Sequence, residues 1–381
     1  MIQTTKDLQR LCARLHKLKF ITVDTEFIRE KTFYPELCLI QIGGGKQAWL
    51  IDALAKEMDL SALFEVLKDK NVIKVFHACR QDIEIFYHLM HEMPTPVFDT
   101  QVGAMVCGYP NDVGYQRLVR DYLGIELDKG MRITDWSHRP LTPEQEEYAL
   151  HDVIELKAIY TKMMEDICHS NRLDWIQEEI EASLDPFLYE PDAAHLLEKM
   201  HIPFQNPAKI HLLARLCEWR ETWAKKMNLP RSYIVSDNTL IECAAIYPQK
   251  GEDFQKLRSL SPKFLKNDMG QSLRQFCLQV VSEPVQEWPL KKHYVLRPNK
   301  KNRVEALRLL LNVVAEENNV APTLIANTED LLQYLFQPNE VRFMKGWRYQ
   351  IYGKRVQDLM QGKLAFCYDP LKKALIVRSI S

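Results

Sequence analysis

Asp24 and Glu26 stand two residues apart where an apolar run, Phe-Ile-Thr-Val over residues 20–23, should end. Side chains on a strand alternate faces, so a strand here projects both carboxylates the same way. Two like charges so close raise each other's pKa unless a cation sits between them. Oxygen donors of this kind suit Mg²⁺ or Mn²⁺, which bind through one or two carboxylates and keep positions for water and substrate phosphate. The plain alternative is a pair of solvated acids at a strand end, so further acids must converge on the spot.

Two further places supply them. Residues 72–76, Val-Ile-Lys-Val-Phe, read as another strand, and Asp82 follows at the start of a helix carrying Ile83, Phe86, Tyr87 and Met90 at helical spacing. Open α/β sheets place ligands beyond the carboxyl ends of their strands. Taken alone, Asp82 could merely complement the helix dipole. Later, Tyr148 and Asp152 stand four apart and share one face of a helix. Such a pair is common in ordinary helices, but a strand Asp-x-Glu, a helix-start Asp and a helix Tyr-x-x-x-Asp in this order form a set. Asp99, followed by Thr100, reads as a helix N-cap and stays outside it. His77 and Cys79 have no partner at zinc spacing and read as packing against the sheet edge.

The elements that must position these residues are legible in outline. Leu8, Leu11, Leu15 and Leu18 give a helix over residues 5–18, ahead of the first strand. Tyr34-Pro35-Glu36 makes a turn, and residues 37–42 form a second strand. Gly43-Gly44-Gly45 lacks the later Gly, Lys and Ser/Thr of a P-loop, so it reads as a hairpin turn before a strand at 48–51. Short helices follow at 60–67, 101–106 and 115–123. Thr142-Pro143-Glu144-Gln145 opens the helix of Tyr148 with a cap, a proline and acids in the first turn.

At 381 residues the chain is long enough for two or three domains. It is 46% hydrophobic and 27% charged, with no apolar run of membrane-spanning length. A net charge of -1 excludes a globally basic nucleic-acid footprint but leaves local positive charge open. Nine cysteines without a Cys-x-x-Cys pair, and no signal-peptide pattern at the start, point to reduced thiols in a cytoplasm.

Asp24 and Glu26, Asp82, and Tyr148 with Asp152 resemble the three exonuclease motifs of the DEDD superfamily in its tyrosine-bearing subclass. The surrounding Val-Asp-Thr-Glu-Phe, Tyr-Pro-Glu-Leu-Cys-Leu-Ile-Gln-Ile, Phe-Asp-Thr-Gln and Thr-Asp-Trp-Ser-His-Arg-Pro-Leu are similar to the ribonuclease D family. Arg80-Gln81 departs from the small or acidic residues of that pattern and could alter the entrance. The resemblance implies an α/β, RNase H-like nuclease domain, a mixed sheet flanked by helices. It also implies two Mg²⁺ or Mn²⁺ ions: Asp24 bridging them, Glu26 and Asp152 on the ion that activates water, and Asp82 supporting the second ion, through water. Such a pair stabilises both the attacking and the leaving oxygen of an in-line phosphodiester displacement. Tyr148, with an ordinary pKa of about 10, is assigned to orienting the water. The product implied is a nucleoside 5′-monophosphate released from a 3′ end.

Residues 183–207, rich in proline and acids, read as a connector. From Ala208 the pattern is helical and resembles an HRDC module, and a weaker second copy runs from about Arg297, with Ala321-Pro322-Thr323-Leu324 standing where the first has Leu229-Pro230-Arg231-Ser232. The expected division is an exonuclease domain at 1–182, a connector at 183–206, and two all-α modules at 207–290 and 295–381. Lys225, Lys226, Arg231, Lys291, Lys292, Lys300, Lys301 and Arg303 could meet phosphates without reading sequence. The expectation is a monomeric cytoplasmic 3′→5′ exoribonuclease acting on RNA with a free 3′ end, transfer RNA precursors being the class the family implies, with no membrane partner. A DNA exonuclease of the same superfamily and a catalytically silent nucleic-acid-binding scaffold are the rivals.

Overall fold

The computed structural model describes residues 1–127, 134–289 and 298–380, the side chains of 298–300 excepted. Helix α1 (Thr5–Leu15) is capped by the Thr4 hydroxyl and buries Leu8, Leu11, Cys12 and Leu15. Strands β1 (Phe20–Ile28), β2 (Glu36–Gly44) and β3 (Gln47–Asp52) form an antiparallel meander. Helix α2 (Ser61–Lys68) leads to β4 (Ile73–Phe76), α3 (Arg80–Met90) to β5 (Val97–Asp99), and β4 and β5 join the sheet in parallel, giving the order β3-β2-β1-β4-β5. Helices α4 (Thr100–Val106) and α5 (Tyr115–Leu123) follow, then the 27-residue α6 (Pro143–His169), which packs across β1, β2 and β3. This is the expected mixed sheet flanked by helices.

The first strand runs further than its apolar run suggested. Ile28 still pairs with Glu36 of β2, so Asp24 and Glu26 lie within the strand, opposite Gln41 and Leu39. On the other side the parallel ladder to β4 stops at Thr22. The carboxylates therefore stand just past the point where β1 loses its parallel neighbour, and a bulge between Glu26 and Phe27 re-aims the strand beyond them. The glycine turn also differs: Gly43 and Gly44 belong to β2, and only Gly45, with φ +60, lies at the bend.

Helices α7 (Leu173–Ser183) and α8 (Ala193–Glu198) lead to α9 (Pro207–Met227), around which α10 (Arg231–Ile234), α11 (Asp237–Ile246), α12 (Pro262–Lys266) and α13 (Asp268–Val281) complete a helical unit with its own core. Its tie to the nuclease domain is local. Asn228, the left-handed C-cap of α9, accepts the backbone N–H groups of Phe33 and Tyr34, both at 3.1 Å.

A second helical unit follows: α14 (Pro298–Glu317), α15 (Pro322–Ile325), α16 (Thr328–Tyr334), α17 (Gly346–Arg348) and α18 (Lys354–Met360). In both units a four-residue helix is followed by an extended residue, Val235 or Ala326, with nearly identical backbone angles, and then by a side-chain N-cap, Ser236 or Asn327. The second unit adds a hairpin, β6 (Leu364–Asp369) with β7 (Ala374–Ser379), which helical periodicity had not suggested. Its core is continuous with that of the nuclease domain. Arg172 donates to the carbonyls of Val106, Asn318 and Asn319, Trp175 stacks on Trp347 at 4.1 Å, and buried Arg348 pairs with Glu178 and Glu179.

Candidate active site

Asp24 and Glu26 leave β1 on the face covered by α6, and Asp152 comes down from that helix. One carboxylate oxygen from each of the three lies within 4.8 Å of the others. What brings α6 so near is Gly43. A Cβ built there would lie 2.2 Å from Thr22 Oγ1 and 2.8 Å from the Val153 carbonyl oxygen. The Thr22 hydroxyl donates to that same carbonyl at 2.7 Å, which fixes the helix to the strand one residue from Asp152. The start of α6 is set by Thr142, whose hydroxyl accepts the Gln145 N–H while the Gln145 side chain accepts that of Thr142.

Asp82 is not one of the close three. It is buried near the start of α3, beyond the end of β4, and accepts a hydrogen bond from the Thr25 hydroxyl. Thr25 lies between Asp24 and Glu26, so alternation along β1 sends it to the opposite face. Asp82 thus flanks the cluster within its field. The departing residues Arg80 and Gln81 are exposed.

Burial pushes all four carboxyls up, and repulsion from neighbouring acids adds to it at Glu26, Asp152 and Asp82. Glu26 rises to about 9, through burial first and then Asp24, Asp152 and Asp82. Asp152 rises to about 8 through burial, Asp24 and Glu155. Burial lifts Asp24 to about 6. Asp82 is held well above the ordinary range by burial and by Asp24, against the Thr25 hydrogen bond that lowers it. Charges that oppose one another's ionisation are what a divalent cation relieves, and an all-carboxylate set fits hard cations such as Mg²⁺ or Mn²⁺.

Tyr148 and Asp152 line a cleft of about 760 Å³ together with His77, Tyr115 and His151. Asp112, Glu126, Glu144 and Glu147 also line it, so the cleft would repel phosphate unless positive charge were brought in. Tyr148 lies 6.2 Å, ring to ring, from buried Trp136. Arg139 holds the Trp136 loop to the sheet by donating to Asp52 at 2.7 Å and to the Cys38 carbonyl at 2.8 Å.

The family model described as a 3′-5′ exonuclease matches residues 1–167, and the HRDC domain model matches 210–275. A ribonuclease D of Bartonella henselae is 36% identical over 369 residues, 96% of this chain and 91% of that protein. That of Granulibacter bethesdensis is 37% identical over 380 residues, 99% and 96%. The chain belongs to the ribonuclease D family. The crystal structure of Escherichia coli RNase D, described as an exoribonuclease involved in structured RNA processing, superposes with a TM-score of 0.79 at 28% identity, covering 95% of this chain and 98% of that one.

As a ribonuclease D family member the chain is a 3′→5′ exoribonuclease with RNA as its substrate, and the DEDD exonucleases to which it belongs use divalent metal ions. Several features around the site carry no mark in the sequence. His77 lines the cleft instead of only packing, with Nδ1 at 3.0 Å from the Thr100 hydroxyl. Tyr115 donates to the His151 carbonyl at 3.0 Å, one residue from Asp152. Neither carries a local signal, since their roles depend on which helices meet. Asp99 does N-cap α4, and it also accepts the N–H groups of Ala78 and Cys79 at 2.9 Å each, holding Ala78 at φ 57 beside the cleft.

The basic residues divide. Lys225 pairs with Glu190, Arg231 binds both oxygens of Glu221, and Lys226 lies over Trp223, so these serve packing and domain contacts more than free phosphate capture. Lys301 and Arg303 are exposed on α14. Lys291, Lys292 and the Lys300 side chain lie outside the described residues.

Proposed function

We propose that the exoribonuclease activity depends on two Mg²⁺ or Mn²⁺ ions and releases nucleoside 5′-monophosphates one at a time from the 3′ ends of structured RNAs such as transfer RNA precursors. The observation that carries this reading is the approach of three carboxylates to within 4.8 Å in a setting that raises their pKa values. When bound, two such ions supply a nucleophile at neutral pH and take up charge on the departing oxygen. Asp24, Glu26 and Asp152 would hold them as ionised carboxylates, with Asp82 supporting from its side and kept oriented by Thr25. Tyr148 orients the attacking water in the cleft rather than taking its proton. His77 and Tyr115 bound the space in which the terminal nucleotide lies.

The division into an exonuclease domain at 1–182, a connector at 183–206 and helical modules at 207–290 and 295–381 belongs to this reading. So does a monomer in the cytoplasm, a setting suited to nine free thiols. No helix among the described residues is long and apolar enough to cross a membrane.

The test is mononucleotide release from matched RNA and DNA strands, with Mg²⁺ or with chelator. RNA should be shortened from its 3′ end only with metal, and Asp24→Asn should abolish release while keeping the fold. Preference for the DNA strand would favour the DNA exonuclease, and inactivity of the unmodified chain with both strands would favour the scaffold.

A further inference from the structure

Gln41 is fully buried in the middle of the sheet, and neither Nε2 nor Oε1 of its side chain has a hydrogen-bond partner. Buried amides are ordinarily satisfied, because removing one from water without replacement bonds is costly. A residue that persists in that state inside an otherwise apolar strand calls for a ligand or a function.

Register shows where the amide can turn. Gln41 is the cross-strand partner of Asp24 on β1 and of Leu50 on β3. Directly opposed side chains share a face with Cβ atoms about 4.5–5.5 Å apart, well within the reach of a glutamine. Along β2 the neighbours on that face are Leu39 and Gly43. Of these four residues only Asp24 has a side chain able to hydrogen-bond. The diagonal positions on that face are farther off: Thr22 has committed its hydroxyl to Val153, Asp52 accepts from Arg139 and Gln3, and Glu26 belongs to the same carboxylate cluster as Asp24. Leu39, Leu50, Trp136 and Ala149 form an apolar cluster on this side of the sheet.

We propose that Gln41 is a positioning residue of the metal centre: with cations bound, its Nε2 turns to donate to the Asp24 carboxylate and fixes which oxygen faces them. The proposal rests on the metal-dependent reading given above. A carboxylate that bridges two cations still has lone pairs for donors behind it, and donors of this kind orient ligating carboxylates and strengthen binding. The amide does so without adding charge to a crowded acidic site.

Gln41→Met keeps length and volume while removing both polar atoms. Mn²⁺ binding followed by the loss of the free-ion EPR signal should weaken about 10- to 100-fold, the effect typical of losing an outer-shell partner. The melting temperature in chelator should stay level or rise, since an unsatisfied amide has been removed. An affinity change of less than about fivefold overturns the proposal. A purely structural amide would do the reverse, lowering the metal-free melting temperature and leaving Mn²⁺ affinity intact. If the unmodified chain itself binds no Mn²⁺, the metal-dependent reading fails first, which separates the two. Should Gln41→Met not fold, a crystal of the unmodified chain with Mn²⁺ decides: Nε2 within about 3.2 Å of an Asp24 oxygen supports the proposal, and an amide still facing only apolar neighbours refutes it.

Discussion

Gly43→Ala tests how the sheet positions Asp152. The added methyl would meet the Val153 carbonyl oxygen at 2.8 Å and Thr22 Oγ1 at 2.2 Å, whereas ordinary contact begins at 3.4 Å. Thr22 is fully buried and tied to that carbonyl, so rotating it away sacrifices the bond it makes. To reach 3.4 Å from 2.8 Å, the Val153 carbonyl must withdraw by about 0.6 Å, carrying Asp152 with it. Overpacking of this kind costs about 1–3 kcal/mol, and loss of the Thr22 bond about 0.5–1.5 kcal/mol more. A displacement approaching 1 Å at a reacting group can cost about 100-fold in rate. Urea unfolding and single-turnover RNA degradation, measured on one preparation, should therefore show a modest stability loss beside a large activity loss. Activity within a factor of about two of the unmodified chain, with the stability loss present, would refute the argument that this backbone approach places the carboxylate.

Other outcomes follow from the same structure. Tyr148→Phe should lower the turnover rate by about 100-fold, at the low end of effects from groups handling water or protons, and leave Mn²⁺ affinity unchanged; a parallel loss of affinity would make the tyrosine part of the metal site. Glu26, Asp152 and Asp24, at about 9, 8 and 6, keep protons in the fold that an unfolded chain has already released. Their contribution to the stability of the metal-free protein is thus complete below about pH 4 and lost as pH rises toward about 9. Melting temperatures in chelator should fall across that range, and Glu26→Gln should flatten the decline; a slope unaffected by Glu26→Gln would count against the raised values. Arg348→Met leaves the largely covered Glu179 without its cation and should cost up to about 3 kcal/mol, with faster amide exchange in α14 to α18, whereas unchanged exchange there would show that Trp175, Trp347 and Arg172 suffice.

Much of this arrangement is legible in the sequence, because its parts follow local rules. Alternation places Asp24 and Glu26 on one face, helical spacing does the same for Tyr148 and Asp152, and Thr142 with Gln145 announces the start of α6. The rest depends on register and on which elements meet. Gly43 reads as a turn residue because three glycines in a row outweigh a strand by propensity, yet two of them, Gly43 and Gly44, lie in the sheet, and only the meeting of β2 with Thr22 and α6 explains why position 43 must be glycine. Gln41 is an ordinary strand residue until pairing sets it beside Asp24. Lys225 and Arg231 looked like free cations, yet their acids, Glu190 and Glu221, lie 35 and 10 residues away in the chain. The strands of the β6–β7 hairpin are short apolar runs, Leu-Ala-Phe-Cys-Tyr and Ala-Leu-Ile-Val, without the alternation that would set them apart behind a long helical pattern.

The central claim is that carboxylates from β1, α3 and α6 hold a pair of divalent cations. Its most direct measurement is anomalous scattering from crystals soaked with Mn²⁺ and a nucleoside 5′-monophosphate. Two peaks about 3.5–4 Å apart are expected, bounded by Asp24, Glu26, Asp152 and Asp82. Strong peaks elsewhere, with these four carboxyls contacting none, would contradict it.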